Sequence, residues 1–247
     1  MPLIKTEIIT TPAIDKCHID LESLAQNGLP ADANIYFRGR NIVARSADGG
    51  TSIKAYRMPG FIKGIIYGFF RAPKAKRALI NAQKLRELDV DTPEPYACVI
   101  RRRAGLLRES YFLCEHIDGW SELRGIEERA DFPELARALA AFMLTLHRKG
   151  IFMKDFSQGN TLFRKTGEKY EFALVDINRM EFGVSNPRTL LLNFQSTLDT
   201  LEGLKVLGKE YIALNPIYTL EEIVETYQHR RKVQRNKRRF KKLFGHG

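Results

Sequence analysis

The chain lacks the marks of a secreted or membrane-spanning protein. Its three cysteines, Cys17, Cys98 and Cys114, are scattered and without CxxC spacing, which points to reduced thiols and to neither a disulfide framework nor a zinc site. No run of about 18 uninterrupted apolar residues occurs, so no transmembrane helix is expected. The N-terminal MPLIKTEIITTPAIDK has no continuous apolar core of the kind a secretory signal needs. No internal repeat is visible, which excludes a solenoid.

Acidic residues are missing from two stretches. From His229 to Gly247 there are nine cations (Arg230, Arg231, Lys232, Arg235, Lys237, Arg238, Arg239, Lys241 and Lys242) and no acid. The net charge of +11 therefore falls to +2 over residues 1–228 (11 minus 9). From Arg57 to Arg77 six more cations stand without an acid, and the remainder of the chain is at −4 (2 minus 6). A near-neutral body with two cationic segments favours an anionic surface, phospholipid or nucleic acid. The aromatic–basic interleaving of a dedicated RNA-binding face is absent from the body, so no specific nucleic acid is expected.

The residues that are present read as β-rich, then one helix, then β, then mostly helical. IYFRGRNIVARS alternates around Gly39, and ADGG before TSIKAYR makes a hairpin, giving a β-meander over residues 32–57. MPGFIKGIIYGFFRAP is loop-like. KAKRALINAQKLREL, from Lys74 to Leu88, carries apolar residues at helical spacing. YACVIRR and SYFLCEHI read as strands separated by an AGLLRE turn. Phe132 to Lys149 is the clearest helix, with Asp131 as its N-cap, Pro133 in its first turn and Gly150 closing it. From Pro187 helix is expected to about Arg231. This order fits an α+β protein of two lobes with a nucleotide cleft. The expected division is 1–114 as a nucleotide-binding lobe, 115–228 as a catalytic lobe, and 229–247 as a basic tail.

The chemistry concentrates in GIFMKDFSQGNTLF, Gly150 to Phe163, where Asp155 precedes Asn160 by five residues, and in FALVD, which ends on Asp176. An acid, an amide and a second acid in that order suit phosphoryl transfer from MgATP. Asp155 would orient the attacking hydroxyl and take its proton, while Asn160 and Asp176 would hold Mg²⁺. Three apolar residues precede Asp176, and a buried carboxylate needs a partner such as a metal.

The arrangement resembles the protein-kinase signature of a strand lysine, H-R-D-x-x-x-x-N and D-F-G. The counterparts are Lys54 in SIKAYR, MKDFSQGN and DIN. Glu115-His116-Ile117 would be the hinge, with backbone groups of Glu115 and Ile117 meeting the adenine edge. Gly39 in RGRN is the candidate phosphate loop, since no GxGxxG exists. Met153 stands in place of the usual His, Ile177 and Asn178 replace Phe and Gly, and Asn81 occupies the helix face where a Glu would pair with Lys54. Ser157 replaces the lysine of Ser/Thr kinases, and no A-P-E segment follows. These last two departures argue against a peptide acceptor.

Residues 34–180 are similar to the lipopolysaccharide kinase family, the Kdo/heptose kinases. The similarity rests on GRN, the PKAKRALINAQKL helix, LDVDTPEP, LHRKGIFMKDFSQGN and LVDINRM. It implies ATP-dependent phosphorylation of a Kdo or heptose hydroxyl on a lipopolysaccharide precursor, in a cytoplasmic protein peripheral to the inner membrane. On that reading the basic tail holds an anionic membrane at roughly 1 kcal/mol per cation, and FIKGIIYGFF would dip into the interface beside its own lysines. The competing reading is a pseudokinase or binding module with the same fold.

Overall fold

A computed structural model describes residues 4–56 and 72–244. The loop-like and interfacial readings for residues 57–71 lie outside the described residues. The chain divides into two compact units, one of residues 1–118 with 176–178 and one of 119–175 with 179–247.

The first unit is built on a six-stranded antiparallel sheet in the order β1-β5-β6-β4-β3-β2. Its strands are β1 (Ile4–Thr10), β2 (Asn34–Arg38), β3 (Asn41–Arg45), β4 (Thr51–Tyr56), β5 (Pro95–Arg103) and β6 (Leu106–Glu115). The expected meander is β2, β3 and β4. The β5–β6 connection is tighter than AGLLRE suggests: only Ala104 and Gly105 turn, both at positive φ, and the leucines after them belong to the strand. Two positive-φ residues in a two-residue loop match the right-handed twist of the strands they join. Helix α1 (Leu21–Asn27), capped by Asp20, packs on β5, as does α2 (Lys74–Glu87). The core of this unit gathers Leu24, Ile53, Tyr96, Val99, Tyr111 and Leu113. Burial pushes the Cys98 and Cys114 thiols up to about 12, so neither is a nucleophile at neutral pH.

The second unit is mostly helical. Helix α3 (Phe132–Arg148) packs on α5 (Leu201–Leu214), and α6 (Leu220–Phe244) packs on α5 through Ile223. The short helix α4 (Pro187–Leu191) lies between α3 and α5 in the chain. Strands β7 (Ser121–Glu122), β9 (Thr161–Thr166) and β10 (Lys169–Leu174) form one small sheet, and β8 (Phe152–Met153) pairs with β11 (Met180–Glu181). Gly150 closes α3 at φ +65°, where a Cβ would meet the Val184 nitrogen at 3.2 Å.

Two details differ from the sequence expectation. Asp131 sits at the N-cap position of α3 but makes no side-chain cap bond. Its carboxylate instead accepts from Arg129 (2.8 Å) and from the Tyr170 hydroxyl (2.7 Å), which hold it well below the usual carboxylate range. Helix α6 does not stop near Arg231 but continues to Phe244. Arg231 is tied back to the Tyr227 hydroxyl at 2.8 Å, and Lys232, Arg235, Lys237 and Arg239 beyond it are exposed.

Candidate active site

In the first unit Lys54, on β4, pairs with Asp176 at 2.6 Å, with the two side chains 19% and 31% exposed. Asp176 has φ +53°, a left-handed conformation that a non-glycine residue adopts only when its surroundings hold it there. The holding contacts are visible. Asn178 Nδ2 donates to Asp176 Oδ1 at 2.6 Å, and Asn81 Nδ2, on α2, donates to the Ile177 carbonyl at 2.7 Å. The left-handed residue of the DIN segment is thus Asp176 itself rather than the Asn178 that stands in the glycine place. Asn81 does occupy the face expected of it, but it grips the backbone beside Asp176. Lys54 is left to pair with Asp176.

The expected hinge also lies in this unit. The His116 amide donates to the Gly50 carbonyl at 2.9 Å, and the Glu115 amide to Glu94 at 2.8 Å. The His116 ring bonds Ser52 Oγ at 2.8 Å. Glu115 is exposed and Ile117 half-buried. Gly39 turns between β2 and β3, and a Cβ there would meet the Phe37 ring at 2.8 Å.

In the second unit Asn160 Nδ2 donates to the Asp155 carbonyl at 2.9 Å, and its own amide closes a turn on Ser157 O at 2.9 Å. Asp155 and Asn160 are therefore brought together on one loop, with the Asp155 carboxylate half-exposed. The Asn160 carbonyl accepts from Val175, the residue before Asp176, at 2.9 Å.

The residues holding this loop from beneath are not evident in the sequence. Asn193 Nδ2 donates to the Met153 carbonyl at 2.7 Å, and Ser196 Oγ donates to Phe156 O at 3.0 Å. Met153 itself is buried. Because Asn193 spends its amino group on Met153, its Oδ1 faces His147 Nε2 (3.2 Å), which must donate, so His147 Nδ1 accepts from the Tyr211 hydroxyl (2.7 Å). His147 is 7% exposed, and burial lowers its pKa to about 4 against the opposing effect of Asn193.

This arrangement has a pH signature. The folded state binds the His147 proton only near pH 4, whereas an unfolded histidine binds it near 6.5. Stability is therefore complete above about pH 6.5 and is lost as pH falls toward 4, by about 3 kcal/mol at the acid end. Urea unfolding at pH 7 and pH 4.5 should show a larger drop in midpoint for the wild type than for His147→Gln.

Hard oxygen donors suit Mg²⁺, which characteristically uses one or two protein ligands and completes its shell with water and phosphate. Asp176 offers a carboxylate, and the buried Asn178 Oδ1 beside it has no hydrogen-bond partner, an unmet acceptor that a cation or its water would satisfy. Among the described residues there is no group of three His, Cys, Asp or Glu that would hold a metal by itself. The donors present fit an ion that arrives with phosphates.

A model of the lipopolysaccharide kinase (Kdo/WaaP) family matches residues 57–198. The chain belongs to this family. The match contains Asp155, Asn160, Asp176, Asn81 and Asn193, and starts after Lys54 and Gly39. Membership in the lipopolysaccharide kinase family makes the chain a lipopolysaccharide-related kinase and implies use of ATP with a metal. The fold is protein-kinase-like, with an antiparallel β-sheet unit and a helical unit. A solved structure described as WaaP in complex with acyl carrier protein is similar over 96% of this chain and 99% of that one, with TM-score 0.58 and 15% identity. Rio2 kinase from Chaetomium thermophilum, in an ADP/Mg²⁺-phosphoaspartate complex, gives TM-score 0.46 and 17% identity over 93% of this chain and 78% of that one. WbdD gives TM-score 0.46 and 13% identity over 78% and 43%. No curated protein sequence matches the chain.

Proposed function

We propose that the protein phosphorylates a sugar hydroxyl, on Kdo or heptose, of a lipopolysaccharide precursor at the cytoplasmic face of the inner membrane. The observation that carries this reading is the Asp155–Asn160 turn (2.9 Å) inside the segment matched by the family. Asp155 orients the acceptor hydroxyl and receives its proton. Asn160 and Asp176 hold Mg²⁺, which when bound neutralises charge on the transferred phosphate. Lys54 pairs with the phosphates once nucleotide is bound, and the backbone of Glu115 and Ile117 receives the adenine edge. Gly39, in the β2–β3 turn, is the glycine assigned to the nucleotide site.

Two features of the peptide-kinase pattern are missing, and their lack supports a non-peptide acceptor. Ser157 supplies no cation, and Glu181 is followed within a few residues by helix α4 with no A-P-E platform between them. The exposed cations of α6 give an acidic lipid surface a place to bind. No described helix is long and apolar enough to cross a membrane, so on this reading attachment is peripheral.

Incubation with MgATP and a panel of Kdo- and heptose-bearing lipid acceptors, read by mass, is expected to add one phosphoryl group to one saccharide. Gain on none of them, with gain on a peptide, would overturn the acceptor class. Flotation with acidic-lipid vesicles is expected for the wild type and reduced when Lys232, Arg235, Lys237 and Arg239 are changed to glutamine. Equal flotation would remove α6 from the membrane argument. The alternative of a binding module without catalysis would show no thermal shift with millimolar ATP, with or without Mg²⁺, and no phosphoryl transfer to any acceptor.

A further inference from the structure

The kinase reading leaves one side of the nucleotide unexplained, since there is no glycine-rich loop to gather its phosphates. Three observations in the first unit meet at that need. Lys54 Nζ and Lys74 Nζ each lie 5.7 Å from the centroid of the same ring, Tyr56. The one carboxylate beside them, Asp176, is taken by Lys54 at 2.6 Å, and no ion pair is formed by Lys74 among the described residues. Tyr56 is 6% exposed and its hydroxyl has no hydrogen-bond partner.

A half-buried ammonium without an acid is costly. Burial lowers the Lys74 pKa, Asp176 opposes this, and the nearby Arg40, Arg77 and Lys54 add to the lowering. Arg40 follows Gly39 in the β2–β3 turn. Lys74 itself opens a helix, the 14-residue α2, whose Pro73 N-cap provides no side-chain acceptor for the first amides. Unsatisfied amides and the positive end of the helix dipole favour an anion. Two lysines beside one aromatic ring, one of them opening a helix whose N-cap offers no side-chain acceptor, suit a polyphosphate.

We propose that Lys74 binds the phosphates of the nucleotide together with Lys54, and that this pair at the head of α2 takes the place of the glycine-rich loop. The inference rests on the kinase reading. Lys54, paired with Asp176 at 2.6 Å in this structure, would be shared between that carboxylate and the phosphates, and Asp176 would be a residue able to hold a metal.

The test is calorimetric titration of wild type, Lys74→Gln and Lys74→Arg with MgATP, MgADP and adenosine. Loss of a charged hydrogen bond of this kind should weaken MgATP about tenfold to a hundredfold in Lys74→Gln. Adenosine affinity should be unchanged, and Lys74→Arg should recover most of the loss. Equal MgATP affinity in Lys74→Gln and wild type overturns the inference and leaves the kinase reading standing. An equal loss for MgATP and adenosine assigns Lys74 a structural role and overturns it as well. Absence of MgATP binding by the wild type overturns the kinase reading and this inference together.

Discussion

Replacing Asp155 with alanine is expected to lower phosphoryl transfer by roughly 10²-fold or more, the size of effect that follows removal of a positioned proton acceptor, while nucleotide binding stays close to wild type. The second half of that expectation comes from the local geometry. Asn160 bonds the Asp155 backbone carbonyl and not its carboxylate, so the Asn160 side chain keeps its anchor when the carboxylate goes. The loop is held besides by Asn193 and Ser196 through the carbonyls of Met153 and Phe156, neither of which the substitution touches. Turnover with a saccharide acceptor, beside MgADP affinity by calorimetry, separates the two effects. Unchanged turnover would remove Asp155 from the reaction.

Asp176→Asn is expected to cost about 10²–10³-fold in transfer by another route, with loss of the metal dependence of nucleotide binding. Asparagine is the informative replacement because it adopts the left-handed backbone that Asp176 requires at φ +53°, whereas alanine adds strain of about 1 kcal/mol or more. The side chain keeps its size and loses its charge, so the Lys54 ammonium, now 2.6 Å from a carboxylate, is left beside a neutral amide. Thermal shift with ATP, with and without Mg²⁺, is the measurement. In the wild type the shift should grow with Mg²⁺; in Asp176→Asn it should not. A metal-dependent shift that survives the substitution would place the ion elsewhere. The pair of variants thus assigns different duties to two acids that the sequence offers as one motif.

The sequence announces this site where its signals are local. Alternating IYFRGRNIVARS and the apolar spacing of Phe132–Lys149 give strands β2 and β3 and helix α3 within a residue or two. The loop of Asp155 and Asn160 follows from their spacing between helix and strand. What stays hidden depends on distant partners. Strand β1 pairs with β5, Ile4 opposite Arg103, and nothing within IKTEIIT reports a partner so far along the chain. Asn193 sits in the apolar run LLLNF, and the distant Met153 carbonyl and His147 ring that it meets explain it. Asn81 stands out in the sequence only as an absent Glu, and its bond to the Ile177 carbonyl shows only in the fold; Lys74 looks like an ordinary member of a polar helix face until Tyr56 is placed beside it. Asp131 shows the opposite error: a textually sound N-cap whose carboxylate is claimed by Arg129 and Tyr170.

Helix α6 is rooted by buried Ile223 and Tyr227 and continues for about 20 Å beyond Arg231 at 1.5 Å per residue. Of its exposed cations, Lys232, Arg235 and Arg239 recur at intervals of three and four residues and so share one side of the rod. A flexible tail with the same charge would act as a leash, setting only how near the body stays to whatever it holds. On the proposed reading, a charged stripe on a rooted helix acts as a keel. It sets standoff and heading as well as attraction, and shifting two of the stripe's cations to the opposite side at constant charge would keep the attraction but lose the heading.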